Sequence, residues 1–580
     1  MRRHVIFYYS LIASMSITFG GTTVAYATDT LSIPFGSSSI QYVFYNQGEI
    51  YDKEAYAKGK AEDPGYSTWQ LTDTEKQGIV DAGKYWSSIL GDGANNTSPV
   101  KINVSTFAED NAQASSQPNE SEENQMNVYT AMQRLIIDNV KMEQNASIML
   151  GPGFRKFADH WSQIPLTGLN DATATIIHEM GHALGITSYI GATGSVLALS
   201  PFDRHLQDYF GTKLTSLSST EYVKSIPNTT ALSTARAYSD QGYFVAGQMN
   251  TGTYGIWFKG DNVTEVMTIN GNAANSDTDA NPDAIKDGMI RIEAYEETAA
   301  DFSHLELRNS LMSHQSYRNW ASFMEAELAV LQDIGYTIDR RNFFGFSIYN
   351  DGLTYTNKNP FYARNSSGTA YITGKSNTTL LGVGLHLYGT NNTVYQAADL
   401  LADGIAGTGI RIDGSSNTLT INSGVKVTAN GDYGNALLVS YGKNNSINHY
   451  GTLEATGTSG IAARFDFGHN LLLDADDYRG SYIYSGNDAS STLLDELNGP
   501  LVRTFNVAGT LNGSLASIYI SDNAYVQDIN ILTGAQITGD IISKWDPDNS
   551  LVQTSGKYTS LNSGLKLDNG AAIPDSSFNM

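Results

Sequence analysis

Not one cysteine occurs in the 580 residues. Disulfide scaffolds, cysteine-ligated metal and thiol nucleophiles are thereby excluded. Basic charge is also scarce: 35 Lys and Arg stand against 59 Asp and Glu, for a formal net charge of −24. No basic block concentrates what there is, so no nucleic-acid partner is expected. Long apolar runs are missing beyond the N-terminal stretch, and no later segment reads as a membrane-spanning helix. The chain is too long for one compact core, and two or more domains are expected.

The N-terminus carries an export pattern. Arg2 and Arg3, an apolar stretch, and the small residues Ala25 and Ala27 read as a signal peptide over residues 1–27. Gly20 and Gly21 interrupt the apolar run, which tells against an uncleaved anchor.

Residues 28–345 read as a mixed α/β (α+β) domain. "TDTEKQGIVDAGKYWSSILG" has the capping-box spacing Thr72 to Glu75, then apolar residues at helical intervals. "VKINVSTFA" alternates as a strand, "VYTAMQRLIIDNV" reads as a helix, and "ASIMLG" as a short strand. After about Phe346 the helical period gives out, and Gly, Asn, Ser and Thr punctuate short β-branched runs. "GKSNT" at 374 is followed by "GTNNT" at 389, "GSSNT" at 414 and "GKNNS" at 442, the last three 25 and 28 residues apart. Such a period means a solenoid. Three short strands per turn, with Asn in the tight bends, predict an all-β right-handed parallel β-helix over residues 346–580. The recurring spacing tells against a β-sandwich.

The chemistry concentrates in "TIIHEMGHALGITS", residues 175–188. On a helix, positions i and i+4 share a face, so His178 and His182 can reach one metal ion with Glu179 beside them as a base. A catalytic zinc takes three protein ligands and an open position. Ser188 stands where the short motif H-E-x-x-H-x-x-G-x-x-H puts its third histidine. Three downstream residues are candidates: His205 in "SPFDRHLQDYFG", Glu297 in "EETAAD" with Asp301 in support, and His304 in "DFSHLELRNSLMSHQSY". Only His304 is followed by a methionine-bearing turn, at Met312, and then by a helix, "WASFMEAELAVLQDIGYTID", ending at Gly335.

This constellation resembles the leishmanolysin-type metzincins. In them the H-E-x-x-H helix ends at a glycine, here Gly185, and a long insertion, here about residues 189–300, precedes the third histidine. Ser303-His304-Leu305-Glu306 and Leu311-Met312 match that family's context, patchily over residues 70–340. The resemblance implies zinc held by His178, His182 and His304, Glu179 as catalytic base, and Met312 as a hydrophobic floor. Protein or peptide substrates would be hydrolysed by zinc-activated water. Gly185 is expected to let the chain leave the helix through a left-handed conformation. His314 stands where some metzincins place a tyrosine; it is expected either to donate a hydrogen bond there or to lie on the surface. Leu305 in place of an aromatic, no proline after the methionine turn, and no cysteine are departures that bear on the fold of the insertion. The missing cysteines also exclude latency through a metal-bound thiolate.

The β-helix resembles the passenger region of Gram-negative autotransporters, with the protease domain borne on a stalk. That implies a monomer, secreted or held on the outer-membrane surface. The last residues, "PDSSFNM", do not show the closing strands of a translocation barrel. The expectation is therefore a passenger segment, a barrel on another polypeptide, or release. Two other classes compete: an adhesin with an inactive protease-like head, and a β-helix polysaccharide lyase or hydrolase. No Asp pair on consecutive rungs supports the latter.

Overall fold

In the computed structural model, the described residues are 29–58, 65–109, 112–116, 128–141, 145–167, 171–189, 199–208, 256–275, 277–278, 281–282, 285–292, 302–313, 319–468 and 500–545, with short strands between 471 and 484, at 564–567 and at 578–579. The expected signal segment 1–27 lies outside them.

A hairpin opens the described chain. β1 (Asp29–Phe35) and β2 (Ser38–Phe44) pair antiparallel and bury Ile33, Phe35, Ile40, Tyr42 and Phe44 by strict alternation. β2 then runs parallel to β3 (Val100–Thr106), and β3 parallel to β5 (Ala146–Leu150). Parallel neighbours need crossovers. Helices Asp73–Leu90 and Ala131–Asp138 supply them, and each starts on a reciprocal cap, Thr72 with Glu75 and Thr130 with Gln133. β4 (Ala112–Ser115) pairs antiparallel with β5 and forms the edge of a sheet ordered β1-β2-β3-β5-β4. Within the expected insertion, strand Ile256–Phe258 pairs with Leu206–Asp208 on one side and Met289–Ile292 on the other.

From Phe344 onward the sheets are parallel and coil, apart from a small antiparallel sheet between Leu471 and Tyr484. One face stacks Phe344–Ile348, Val383–Leu387, Thr408–Ile412, Asn435–Val439 and Ile461–Phe465. A second stacks Thr354–Asn357, Thr393–Gln396, Thr418–Ile421, Asn445–His449, Val502–Val507 and Val526–Ile531. A third carries Leu400–Leu401, Lys426–Thr428 and Thr452–Ala455. The stacked parallel sheets are β-helix-like. Leu385, Ile410, Leu437 and Ala463 fall at one register position and fill the interior.

The repeated G-x-x-N-[ST] segments are the bends. Asn391, Ser416 and Asn444 adopt positive φ near 58° (59°, 56° and 58°), and the asparagine after each turns inward. Asn392 N–H donates to Asn417 Oδ1 (2.9 Å), and Asn417 N–H to Asn445 Oδ1 (3.1 Å). Their amide groups return to carbonyls of the preceding bend, Asn417 Nδ2 to Gly389 O (2.9 Å) and Asn445 Nδ2 to Gly414 O (2.9 Å). Buried backbone groups at each corner are thereby paired between coils.

The two regions share a core. Phe344, Tyr349, Leu381, Val383, Tyr388 and Ala406 belong to the same apolar cluster as the metal-motif helix and the head sheet. Among the described residues no helix is long and apolar enough to cross a membrane.

Candidate metal centre

Helix Ala172–Ala183 begins at Asp171, whose carboxylate accepts the Ala174 N–H (3.1 Å). Burial pushes the Asp171 carboxyl above its ordinary range. The helix ends in a Schellman turn. Gly185 N–H donates to His182 O (2.9 Å) and Ile186 N–H to Gly181 O (3.1 Å), with Gly185 at φ +103°. The turn places the Ile186 carbonyl behind His182, whose Nδ1 lies 2.8 Å from it. His178 Nδ1 lies 2.5 Å from the Leu311 carbonyl. A carbonyl only accepts, so both Nδ1 atoms carry the proton and both Nε2 atoms present lone pairs.

Those two Nε2 atoms are 3.1 Å apart. His304 joins them across 122 residues of sequence, its ring centroid 5.4 Å from that of His178 and 4.7 Å from that of His182. One ligand atom from each of the three lies within 4.8 Å of the others, and all three side chains are buried. Lone pairs converging at this range in a buried site repel unless a cation lies among them. The donor set therefore fits a metal ion, which the three histidines could hold.

Glu179 is 9% exposed, on the same helix, and the Ala114 N–H of the edge strand β4 donates to its Oε2 (2.9 Å). The carboxylate is thus anchored between the sheet edge and the histidines. Met312 is fully buried beneath the helix: a Cβ on Gly181 would lie 2.8 Å from its sulfur. Its N–H donates to Glu327 Oε1 (2.9 Å), while Glu327 Oε2 accepts the Met324 N–H (2.6 Å) at the start of helix Glu325–Asp333. Met312 O accepts the N–H of Leu305, next to His304 (3.0 Å).

Ser188 ties the turn together instead of ligating. Its N–H donates to Ser303 Oγ (3.1 Å) and its hydroxyl to Asp203 Oδ1 (2.5 Å). Asp203 Oδ2 accepts the N–H groups of Tyr189 (3.0 Å) and Ser200 (2.8 Å), and full burial pushes its carboxyl up to about 6. His205 is elsewhere. Its ring nitrogens face the carbonyls of Lys259 (3.0 Å) and Asp333 (2.9 Å), and its ring stacks on Phe258. Glu297, Asp301 and His314 lie outside the described residues. Glu306 is half-buried and its N–H bonds the Arg291 carbonyl (2.8 Å).

Sequence reasoning did not find Ala114, Asp203, Glu327 or the carbonyls of Ile186 and Leu311. Backbone groups leave no residue-type signal. Glu327 had one, at the third position of a helix whose cap is a methionine. No family model, no curated protein and no solved structure matches the chain.

Proposed function

We propose that the chain is a zinc-dependent endopeptidase of the leishmanolysin-like, metzincin type, borne on a right-handed parallel β-helix and acting outside the cell or on its outer surface. The hand follows from the strong preference of parallel crossovers. The observation that carries the reading is the trio of converging imidazoles with a carboxylate anchored beside it. Three neutral nitrogen donors suit zinc. When bound, zinc would acidify a water and polarise a peptide carbonyl.

The chain's own groups do the rest. Leu311 and Ile186 carbonyls fix the tautomers and ring planes of His178 and His182. Glu179 takes the proton of the attacking water and hands it to the departing amine. Strand β4, at the sheet edge beside Glu179, offers backbone groups to an extended peptide.

The test is Glu179→Gln in the full chain, with zinc content and cleavage of unfolded casein measured together. Zinc uptake should persist while cleavage falls roughly a hundred- to ten-thousandfold. Undiminished cleavage by Glu179→Gln would refute the mechanism. A wild type that holds zinc and cleaves nothing would point to a surface-binding module with an inactive head.

A further inference from the structure

The geometry points to the β-helix as part of the metal centre's scaffold: Arg411 and Asp413, on its coils, position the methionine turn through Asn319 and Trp320. This inference rests on the proposed metal centre and adds residues to it that no motif marks.

Arg411, Asp413 and His386 are completely buried. His386 and Arg411 are register partners on adjacent coils, in a column that continues through Leu438 to Arg464. Asp413 Oδ2 accepts from Arg411 Nε (2.9 Å), His386 Nε2 (3.0 Å) and Trp320 Nε1 (3.0 Å), and Oδ1 from the Ser440 hydroxyl (2.6 Å). The remaining guanidinium nitrogens of Arg411 reach into the head, to Gln163 O (2.6 Å) and Asn319 O (2.9 Å), and the guanidinium lies 3.6 Å over the Trp320 ring. Asn319 Nδ2 in turn donates to Ser440 O on the coil (2.8 Å).

From that anchor to the histidines the path is short. The N–H groups of Asn319 and Trp320 both donate to Asn309 O (3.1 and 3.2 Å), closing the segment that bears Leu311 and Met312. Arg308, before the turn, reaches the Tyr388 carbonyl (3.3 Å) and lies over the Tyr388 ring, 5.0 Å from its centroid. Both described ends of the turn are therefore tied to coils. Leu311 O orients His178, and Met312 O accepts the N–H of Leu305, beside His304.

A buried ion pair is a poor way to glue two domains, because desolvation offsets its attraction. Its fixed directions, however, suit holding a turn in register. Arg464 repeats the same Arg-x-Asp arrangement with Asp466 farther along the column, half-buried, and provides a matched control.

The experiment uses the full chain. Trp320→Phe removes one hydrogen bond and keeps a ring; Ser440→Ala removes another; Arg411→Met removes the anchor, and Arg411→Lys tests partial rescue. Arg464→Met is the control. Zinc affinity is measured by competition with a chromophoric chelator, the Co2+ d–d spectrum reports ligand geometry, and urea unfolding of the metal-free protein reports stability. Trp320→Phe and Ser440→Ala should weaken zinc roughly threefold to tenfold, a step milder than loss of a group bonded to a ligand. Their Co2+ spectra should shift and kcat should fall with KM unchanged, while Arg464→Met matches wild type. If Arg411→Met does not fold, the Trp320 and Ser440 variants decide the matter. Folded variants with wild-type zinc affinity and Co2+ spectrum would overturn this inference alone. A wild type that takes up neither Zn2+ nor Co2+ would overturn the proposed function and this inference with it.

Discussion

Replacing Gly185 by alanine tests whether the turn after the H-E-x-x-H helix shapes the site. Two effects add. Gly185 sits at φ +103°, where a Cβ is disfavoured by roughly 1–2 kcal/mol. The new Cβ would also lie 2.4 Å from the Gln133 side-chain amide. Gln133 is fully buried, and its Oε1 accepts the Thr130 N–H (3.0 Å) in a reciprocal cap. Swinging it aside breaks that cap, at about 1 kcal/mol. The total is about 2–3 kcal/mol in a urea titration of the metal-free chain. Gly352 separates the two effects: it has φ +68° and nothing within 4 Å of a built Cβ, so Gly352→Ala should show the strain alone, about 1 kcal/mol. Zinc affinity divides them further. Moving the Ile186 carbonyl away from His182 should weaken zinc roughly tenfold, and Gly352→Ala should leave it unchanged. Equal destabilisation by the two substitutions, with equal zinc affinity, would refute the reasoning.

His304→Ala should abolish stoichiometric zinc at micromolar protein, whereas His205→Ala should keep it; equilibrium dialysis with metal analysis distinguishes them, and the reverse result would move the third ligand. Asn417→Ala strands the Asn392 N–H and Gly389 O inside the coil and should destabilise the β-helix by about 2–4 kcal/mol, read from urea unfolding; Thr420→Ala, half-buried on an outward position, should barely register. Burial lowers the His449 pKa to about 4. The unfolded chain therefore takes up a proton below pH 6.5 that the folded chain refuses, so stability holds above pH 6.5 and is lost as pH falls towards 4. The loss from this residue is about 3 kcal/mol. His449→Gln should flatten the profile, and an unchanged slope would show that other groups carry the acid sensitivity.

The elements with strong local signals were legible in the sequence. Thr72 and Glu75 marked a helix start because a cap is a contact between near neighbours, and the bend asparagines showed the coils because each coil repeats the same corner. His178, Glu179 and His182 were legible because one helix spaces them. His304 could be reached only through the methionine turn, since nothing in the intervening residues shows that the chain returns. The junction was illegible. Arg411 and Trp320 are 91 positions apart in sequence, and neither carries a pattern that names the other. Ser188 illustrates the same limit, because its role depends on Asp203 and Ser303, brought together by the turn at Gly185.

The shared core also sets a clock. A chain that emerges N-terminus first presents His178 and Glu179 early, but Ala406 and Arg411, on which Gln163 and Asn319 rest, more than two hundred residues after them. Contacts of such long separation form late, after the loop they close has been extruded. A head waiting for its first coils lacks the ties at Arg308 and Asn319, and the turn that bears Leu311 and Met312 then rests on Glu327 and the packing under Gly181. If the coils position the turn as proposed, full metal affinity of the histidine cluster follows their delivery, and a chain stalled before Asp413 should take up zinc more weakly than the full chain.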